Sequence, residues 1–486
     1  MFHKIIIYGA GKRCQKLCEK ISSSVFEVAA IIDSNPERWG KEVEGYPIAP
    51  PEKVKDFQEA FLCISIADSD EDRKIKKQII QKYNFQQEMI LSYYECILLL
   101  YKADDTIKEY IIKQAGKLKK ENRILFECQN GLGLGGVEAW TKDICIGLIK
   151  AGENNVSIIS DDGVYDIPPI LKEHIIYTNI NHIERFTKDS ILKMITLLVK
   201  ELPCKVVVSF PHDLLVAAYL IKCCYPDLIE VVSVFHVGDE NFYQEFWDFR
   251  ECSDMYVCVS QDIRNEMIAR GLPSEKVYSM TCPFACEKQI ERSYTLEESL
   301  PIRIGYAGRM DGMEHSQKRM DLILKLIGQL VEDGVCFKIE LAGDGPAQPE
   351  MERFIRQHHW EDRTSFLGKL ERSKLSAFWR RQDVCVNLAD FEGRSISVIE
   401  AMGNGAIPVV TSTSGISDDV INDVNGYIVP LGDYRAAANR IGYLSKHRER
   451  LCEMGRRAHD AVYPKSLMEP HLSFWKEILG LTISEK

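Results

Sequence analysis

The chain has 486 residues, 27% of them charged and 45% hydrophobic, and a formal net charge of −11. Such a length exceeds one ordinary core, so two or three domains are expected. Residues 121–300 hold 28 acids against 16 bases, which argues against a nucleic-acid partner and against broad docking of that segment on anionic lipid.

No apolar run reaches the length of a membrane span. The start, Met-Phe-His-Lys-Ile-Ile-Ile-Tyr-Gly, enters a strand directly and is not built like a signal peptide. The 16 cysteines form no Cys-x-x-Cys pair and read as reduced thiols of a cytosolic protein.

Three segments alternate strand and helix, the pattern of parallel α/β sheets. The first spans residues 1–116. A strand over Lys4–Tyr8 runs into Gly9-Ala-Gly11 and a helix, and a second strand over Val28–Ile32 ends in Asp33. Gly9-x-Gly11-x-x-Cys14 half-matches a dinucleotide fingerprint, with Cys in place of the third glycine. Gly9, Gly11 and Asp33 are therefore a candidate nucleotide site. A strand over Phe61–Ile66 follows. Asp68-Ser-Asp70 precedes a basic amphipathic helix, where acids suit the helix start. The polar stretch Gln114–Asn122 reads as a linker. A chain lacking residues 1–116 is thus expected to fold with its ligand site intact.

The second segment, 122–298, opens with a strand over Arg123–Glu127 and a Gly-rich turn that ends in Gly135-Gly136-Val-Glu138. Strands over Lys205–Phe210 and Val231–Phe235 end in His212 and His236 respectively, and another strand covers Met255–Ser260. The third segment, 299–465, has strands over Ile302–Tyr306, Lys338–Ala342, Val384–Leu388, Pro408–Thr411 and Gly426–Val429. Residues 466–486 read as a helix packing back on the second segment. Ligands of open parallel sheets lie outside the carboxyl ends of strands. Gly308-Arg309, Gly343-Asp-Gly345, His236 and Glu392 all fall there.

Glu392-Gly-Arg394-Ser395-Ile396 leads into an apolar helical run ending at Glu400. A helix starting near Arg394 or Ser395 offers unpaired N–H groups and a positive dipole end to a phosphate. Glu400, two turns on, can accept hydrogen bonds from a ribose diol. This stretch resembles the donor-site motif of retaining GT-B glycosyltransferases, specifically glycosyltransferase family 4, and the resemblance extends over roughly 122–480. It implies an α/β, GT-B fold of two Rossmann-like domains, here preceded by a third, smaller one.

Gly135-Gly136 resembles the family's loop over the donor diphosphate. His236 and Glu392 resemble its groups at the donor sugar. Arg309 and Lys318 resemble its diphosphate-binding pair, and fixed cations there would stabilise the charge on the leaving diphosphate. Gly343 and the Phe366-Leu-Gly368 loop resemble its nucleotide contacts. The sequence departs from the family's pattern at Lys318-Arg319, where Lys-Gly is common, and at Arg394-Ser395, where Phe-Gly is usual. Arg394 either favours an anionic donor or acceptor, or is a surface or Asp390-paired guanidinium.

The resemblance implies transfer of a hexose-type sugar from a UDP- or GDP-sugar to a carbohydrate or lipid-linked acceptor. It implies no required cofactor and no metal, and a cytoplasmic enzyme; association with the membrane's cytoplasmic face stays open. Two other readings also stay open. One is an inactive sugar-nucleotide sensor or scaffold. The other is an NAD(P)-dependent oxidoreductase centred on the first segment.

Overall fold

The computed structural model describes residues 3–21, 26–66, 69–116, 118–128, 131–133, 135–161, 163, 167–178 and 185–481. Asp68 and Leu134 lie outside the described residues. Among the described residues there are three sheets. The first has six strands in the order Glu42–Val43, Tyr46–Ala49, Phe26–Ile32, His3–Tyr8, Phe61–Ile64 and Ile90–Ser92. Its strands are parallel except in the hairpin of Glu42–Val43 with Tyr46–Ala49. The second has seven, in the order Val277–Ser279, Met255–Cys258, Ile229–Phe235, Cys204–Val208, Arg123–Cys128, Val156–Ser160 and Ile175–Tyr177. The third, all parallel, runs Thr364–Gly368, Phe337–Ala342, Ile302–Ala307, Val384–Asn387, Ile407–Thr411 and Tyr427–Val429. Strands Ile407–Thr411 and Val156–Ser160, each one in from a sheet edge, are buried along their whole length. This suits a strand covered on both faces by helices. All sixteen cysteines are free thiols. Among the described residues, no helix is long and apolar enough to cross a membrane.

The chain forms two compact units. One comprises Met1–Gly133, Asn154–Ser233 and Glu240–Met255; the other comprises Leu134–Glu153, Val234–Asp239 and Tyr256–Lys486. In the first unit a single apolar core continues from Ile5 and Leu17 through Ile97, Ile107 and Ile111 to Ile191, Ile195, Leu215 and Val231. The cause lies in helix Tyr93–Ala103. A Ser92/Glu95 capping box starts it, and Cys96, Ile97, Leu98, Leu100 and Tyr101 are all buried. It is apolar around most of its circumference, as a helix covered on more than one side must be. Helix Asp105–Gln114 buries Ile107 and Ile111, and its Tyr110 hydroxyl bonds Thr196 at 2.7 Å. Lys102 donates to the Tyr219 hydroxyl (2.8 Å), and Tyr101 donates to the Phe186 carbonyl (2.7 Å).

The polar stretch after Gln114 is therefore no free tether. Lys119 N–H donates to the Leu202 carbonyl at 2.8 Å, and the helices before it share their core with helices Lys188–Leu198 and Asp213–Cys224. The shared core weighs against the expectation that a chain lacking residues 1–116 folds with its ligand site intact. Each buried Ile or Leu so exposed forfeits about 1.5–3 kcal/mol. A chain lacking residues 1–116 is expected to be insoluble or to melt well below the full chain. A soluble truncation with an unchanged melting temperature would contradict the shared core.

Candidate active site

The second unit gathers the loops at the carboxyl edge of the third sheet. Gly343 follows strand Phe337–Ala342 at φ +136, and a Cβ there would strike the Gly308 carbonyl. Glycine is the residue that permits both. Gly308 N–H donates to the Ala342 carbonyl (3.0 Å), Met310 N–H to the Asp344 carbonyl (2.8 Å) and Gly343 N–H to the Gly368 carbonyl (2.8 Å). Three strand ends are thereby stitched side by side. Residues 366–368, expected as a loop, belong to edge strand Thr364–Gly368. Edge strands this short leave little periodicity to read.

Glu392 is the centre of this group. It is 7% exposed. Lys318 Nζ lies 2.5 Å from its Oε1, and Asn387 Nδ2 donates to the same oxygen at 3.1 Å. Asn387 also donates to Ser395 Oγ at 2.9 Å. Ser395 is the N-cap of helix Ile396–Gly403, but its side chain makes no capping bond. The first N–H groups of that helix are thus not claimed by the cap, and they suit an anion. Gly136 begins helix Gly136–Lys150. A Cβ on Gly136 would meet Ile396 Cδ1 at 3.3 Å, so two helix starts converge here, the Glu138 carboxylate lying against Gly135 at one of them.

Arg309 and Lys318 differ in setting. Arg309 is 63% exposed in its side chain and donates to Gln317 Oε1 at 3.0 Å. Gln317 in turn donates to the Phe391 carbonyl (3.1 Å), linking Arg309 to the Glu392 loop. Lys318 is largely buried and committed to Glu392. Arg319 adopts φ +47. Its guanidinium bonds Asp321 (2.9 and 3.0 Å) and Asp390 (3.0 and 2.9 Å). The two carboxylates compensate a backbone conformation that a side chain otherwise disfavours.

Arg394 is neither a surface guanidinium nor a partner of Asp390. It is 5% exposed and lies 2.5 Å from Asp419, which also receives Lys465 Nζ at 2.8 Å. Its charge is spent on fixing the 418–419 segment. Asp390 already belongs to Arg319.

His236 follows strand Ile229–Phe235. Gly238 N–H donates to the Glu392 carbonyl (3.1 Å), and a Cβ on Gly393 would overlap the His236 carbonyl. Only glycine allows that backbone crossing. The imidazole packs edge-on against Trp140, with ring centres 4.7 Å apart. Trp140 lies on the helix begun by Gly136, and it touches Trp475 of helix Met468–Ile478 (5.5 Å). His212, by contrast, is the buried N-cap residue of helix Asp213–Cys224, in the other unit. Glu400 lies within helix Ile396–Gly403, and burial raises its carboxyl to about 7. The nearby Arg372 guanidinium opposes that rise, but it forms a forked ion pair with Asp143 (2.8 and 2.5 Å).

In the first unit, Gly9 and Gly11 line a cleft of about 410 Å³ with Lys12, Asp33, Arg38 and Ser65. Asp33 is already engaged. Its Oδ2 accepts from Ala10 N–H (2.8 Å) and Arg38 (2.9 Å), and its Oδ1 accepts from Asn35 N–H (2.8 Å). Three of its roughly four acceptor positions thereby hold the turn. Among the described residues no group of His, Cys, Asp and Glu could hold a metal ion.

Burial lowers the His236 imidazole to about 3, against about 6.5 for an ordinary histidine. Between those values the unfolded chain takes up a proton that the folded chain refuses. The stability contribution is complete above about pH 6.5 and falls as the pH drops, by up to about 1.4 kcal/mol per unit. His236→Gln is expected to flatten that acid limb in urea titrations. An unchanged limb would mean the folded imidazole protonates normally.

Residues 295–461 match the family model described as glycosyl transferases group 1, and residues 1–91 match one described as C2185-like, N-terminal. The chain is 25% identical over 285 residues to N-acetyl-alpha-D-glucosaminyl L-malate synthase of Bacillus anthracis, covering 56% of this chain and 72% of that protein. It is 29% identical over 247 residues to the putative colanic acid biosynthesis glycosyltransferase WcaL of Escherichia coli, covering 48% and 60%. Anabaena HepE, solved with UDP and glucose, superposes with a TM-score of 0.59 at 17% identity, over 74% of this chain and 100% of HepE. That likeness shows the GT-B fold.

Proposed function

We propose that this chain, whose residues 295–461 form a glycosyl transferases group 1 domain, is a retaining, metal-independent glycosyltransferase. It would move a hexose-type sugar from a UDP- or GDP-sugar to a carbohydrate or lipid-linked acceptor. The observation that carries this reading is the buried Lys318–Glu392 pair set beside two converging helix starts. A cation and unclaimed N–H groups suit a diphosphate, while a carboxylate a few ångströms away suits the hydroxyls of the sugar attached to it. Names of relatives, such as a colanic acid glycosyltransferase, support a polysaccharide or cell-surface glycan setting.

In this mechanism the bond from the anomeric carbon to the diphosphate oxygen breaks, and the acceptor hydroxyl oxygen bonds that carbon. The hydroxyl proton passes to the leaving phosphate oxygen. Arg309, Lys318 and the first N–H groups of helix Ile396–Gly403 stabilise the departing charge, with Gly135 and Gly136 admitting the phosphates closely. Gly343 and Gly368 shape the nucleotide side. Glu400 accepts from the ribose diol. Glu392 orients the sugar, and neutral His236 presents an imidazole able to donate or accept one hydrogen bond.

UDP or GDP at millimolar concentration is expected to raise the melting temperature, and Arg309→Ala to reduce that shift. Absence of a shift with both nucleotides would sink the donor site. Glu400→Gln should weaken nucleoside diphosphate binding by about 1–3 kcal/mol. Glu392→Gln should spare or improve it, because Lys318 is released, while slowing single-turnover transfer. The reverse assignment of affinity and rate would contradict the geometry.

Transfer is also expected to survive EDTA, since Arg309 and Lys318 stand where a metal would otherwise neutralise the diphosphate. Activity lost in chelator and restored by manganese or magnesium would refute this. Turnover itself separates the enzyme from a sensor, which binds donor without consuming it.

A further inference from the structure

A second cleft, of about 320 Å³, lies within the first unit. One wall comes from the amino-terminal segment: Arg13, Asp72, Tyr93 and Tyr94. The other comes from helix Glu240–Asp248, through Asn241, Gln244, Glu245 and Asp248. That helix begins four residues after His236 in the sequence. The two walls are tied together by an Arg250–Glu95 ion pair at 2.7 Å and an Arg73–Glu240 pair.

The lining has a definite chemical character. The Tyr93 and Tyr94 rings are half-buried and set at 74° to one another, offering apolar faces beside polar groups. Arg13 is held over both rings, at 5.1 and 5.4 Å, and donates to the Ile66 carbonyl (2.7 Å) and the Tyr94 hydroxyl (3.3 Å). Gln244 donates to Asp248 at 2.8 Å, and Asp248 is 6% exposed. Burial brings Asp248 to about 7 and Asp72 to about 6, so near neutral pH both protonated and ionised forms exist. Such carboxyls both donate and accept, as sugar hydroxyls do. The lining carries Asp72, Glu245 and Asp248 against the already engaged Arg13, and Arg185 pairs with Glu245 from outside it (3.6 Å); with three carboxyls and both guanidiniums engaged, a phosphate is disfavoured. The volume is at the lower end of ligand pockets, about 300–1,000 Å³, and suits one ring rather than a nucleotide sugar.

We propose that this cleft binds an uncharged pyranose ring of the acceptor glycan, so that the amino-terminal segment is a part of acceptor recognition. The inference rests on the glycosyltransferase reading above. A glycan acceptor needs anchoring beyond the one hydroxyl that reacts, and an aromatic wall with amide and carboxyl partners supplies it.

The test is saturation-transfer NMR on the full chain with the methyl glycosides of glucose, galactose, mannose and N-acetylglucosamine, recorded with saturating UDP. At least one glycoside is expected to receive saturation. Its signal should fall about fivefold or more, the loss of a hydrogen bond or a ring contact, in Gln244→Ala or Tyr93→Leu. Both variants should keep the wild-type melting temperature shift with UDP. No transfer to any of the four glycosides, or transfer undiminished in both variants, overturns the proposal. A missing UDP shift in the wild type would instead overturn the donor reading, and the two failures are thereby distinguished.

Discussion

The arrangement of the second unit depends on one buried ion pair. Lys318 and Glu392 are both largely withdrawn from water and lie 2.5 Å apart. Neither could be buried alone, since removing one partner of such a pair costs about 3–5 kcal/mol. Their pairing fixes the turn after strand Val384–Asn387, and that turn sets where helix Ile396–Gly403 begins. Asn387, Gln317 and the Arg319–Asp390 contact reinforce the same turn from three directions. Opposite charges held ready in a dry site are suited to a ligand that carries a diphosphate at one end and a polyol at the other.

Much of this was legible in the sequence, because it is local. Glu392, Ser395 and Glu400 are linked by helix spacing, and Arg309 and Gly343 by their positions at strand ends. The residues that were missed act across long separations. Asn387 orients Glu392 through a side-chain bond, Trp140 packs on His236 from a helix 96 positions earlier, and Asp419 captures Arg394. No spacing rule announces these partners. Arg319 is another such case: its left-handed backbone is held by Asp321 and Asp390, carboxylates that no spacing rule pairs with it.

The amino-terminal segment reads as separable in sequence for a different reason. The polar run after Gln114 suggested a tether, yet helix Tyr93–Ala103 is apolar around nearly all of its circumference. That pattern means burial on more than one side, and it was visible in the residues themselves. The partner surface, Ile191, Ile195 and Leu215, lies about a hundred residues downstream and could not be paired with it from sequence. The short strands Val156–Ser160, Ile175–Tyr177 and Val277–Ser279 escaped because so few residues carry too little periodicity.

We propose that Lys318, Glu392 and the start of helix Ile396–Gly403 form the donor site. A crystal structure of the chain with UDP or GDP tests it most directly. The diphosphate is expected against the first N–H groups of that helix, within hydrogen-bond reach of Lys318, with the ribose at Glu400. A nucleotide found only in the Gly9–Gly11 cleft, with the Lys318–Glu392 pair untouched, would contradict it.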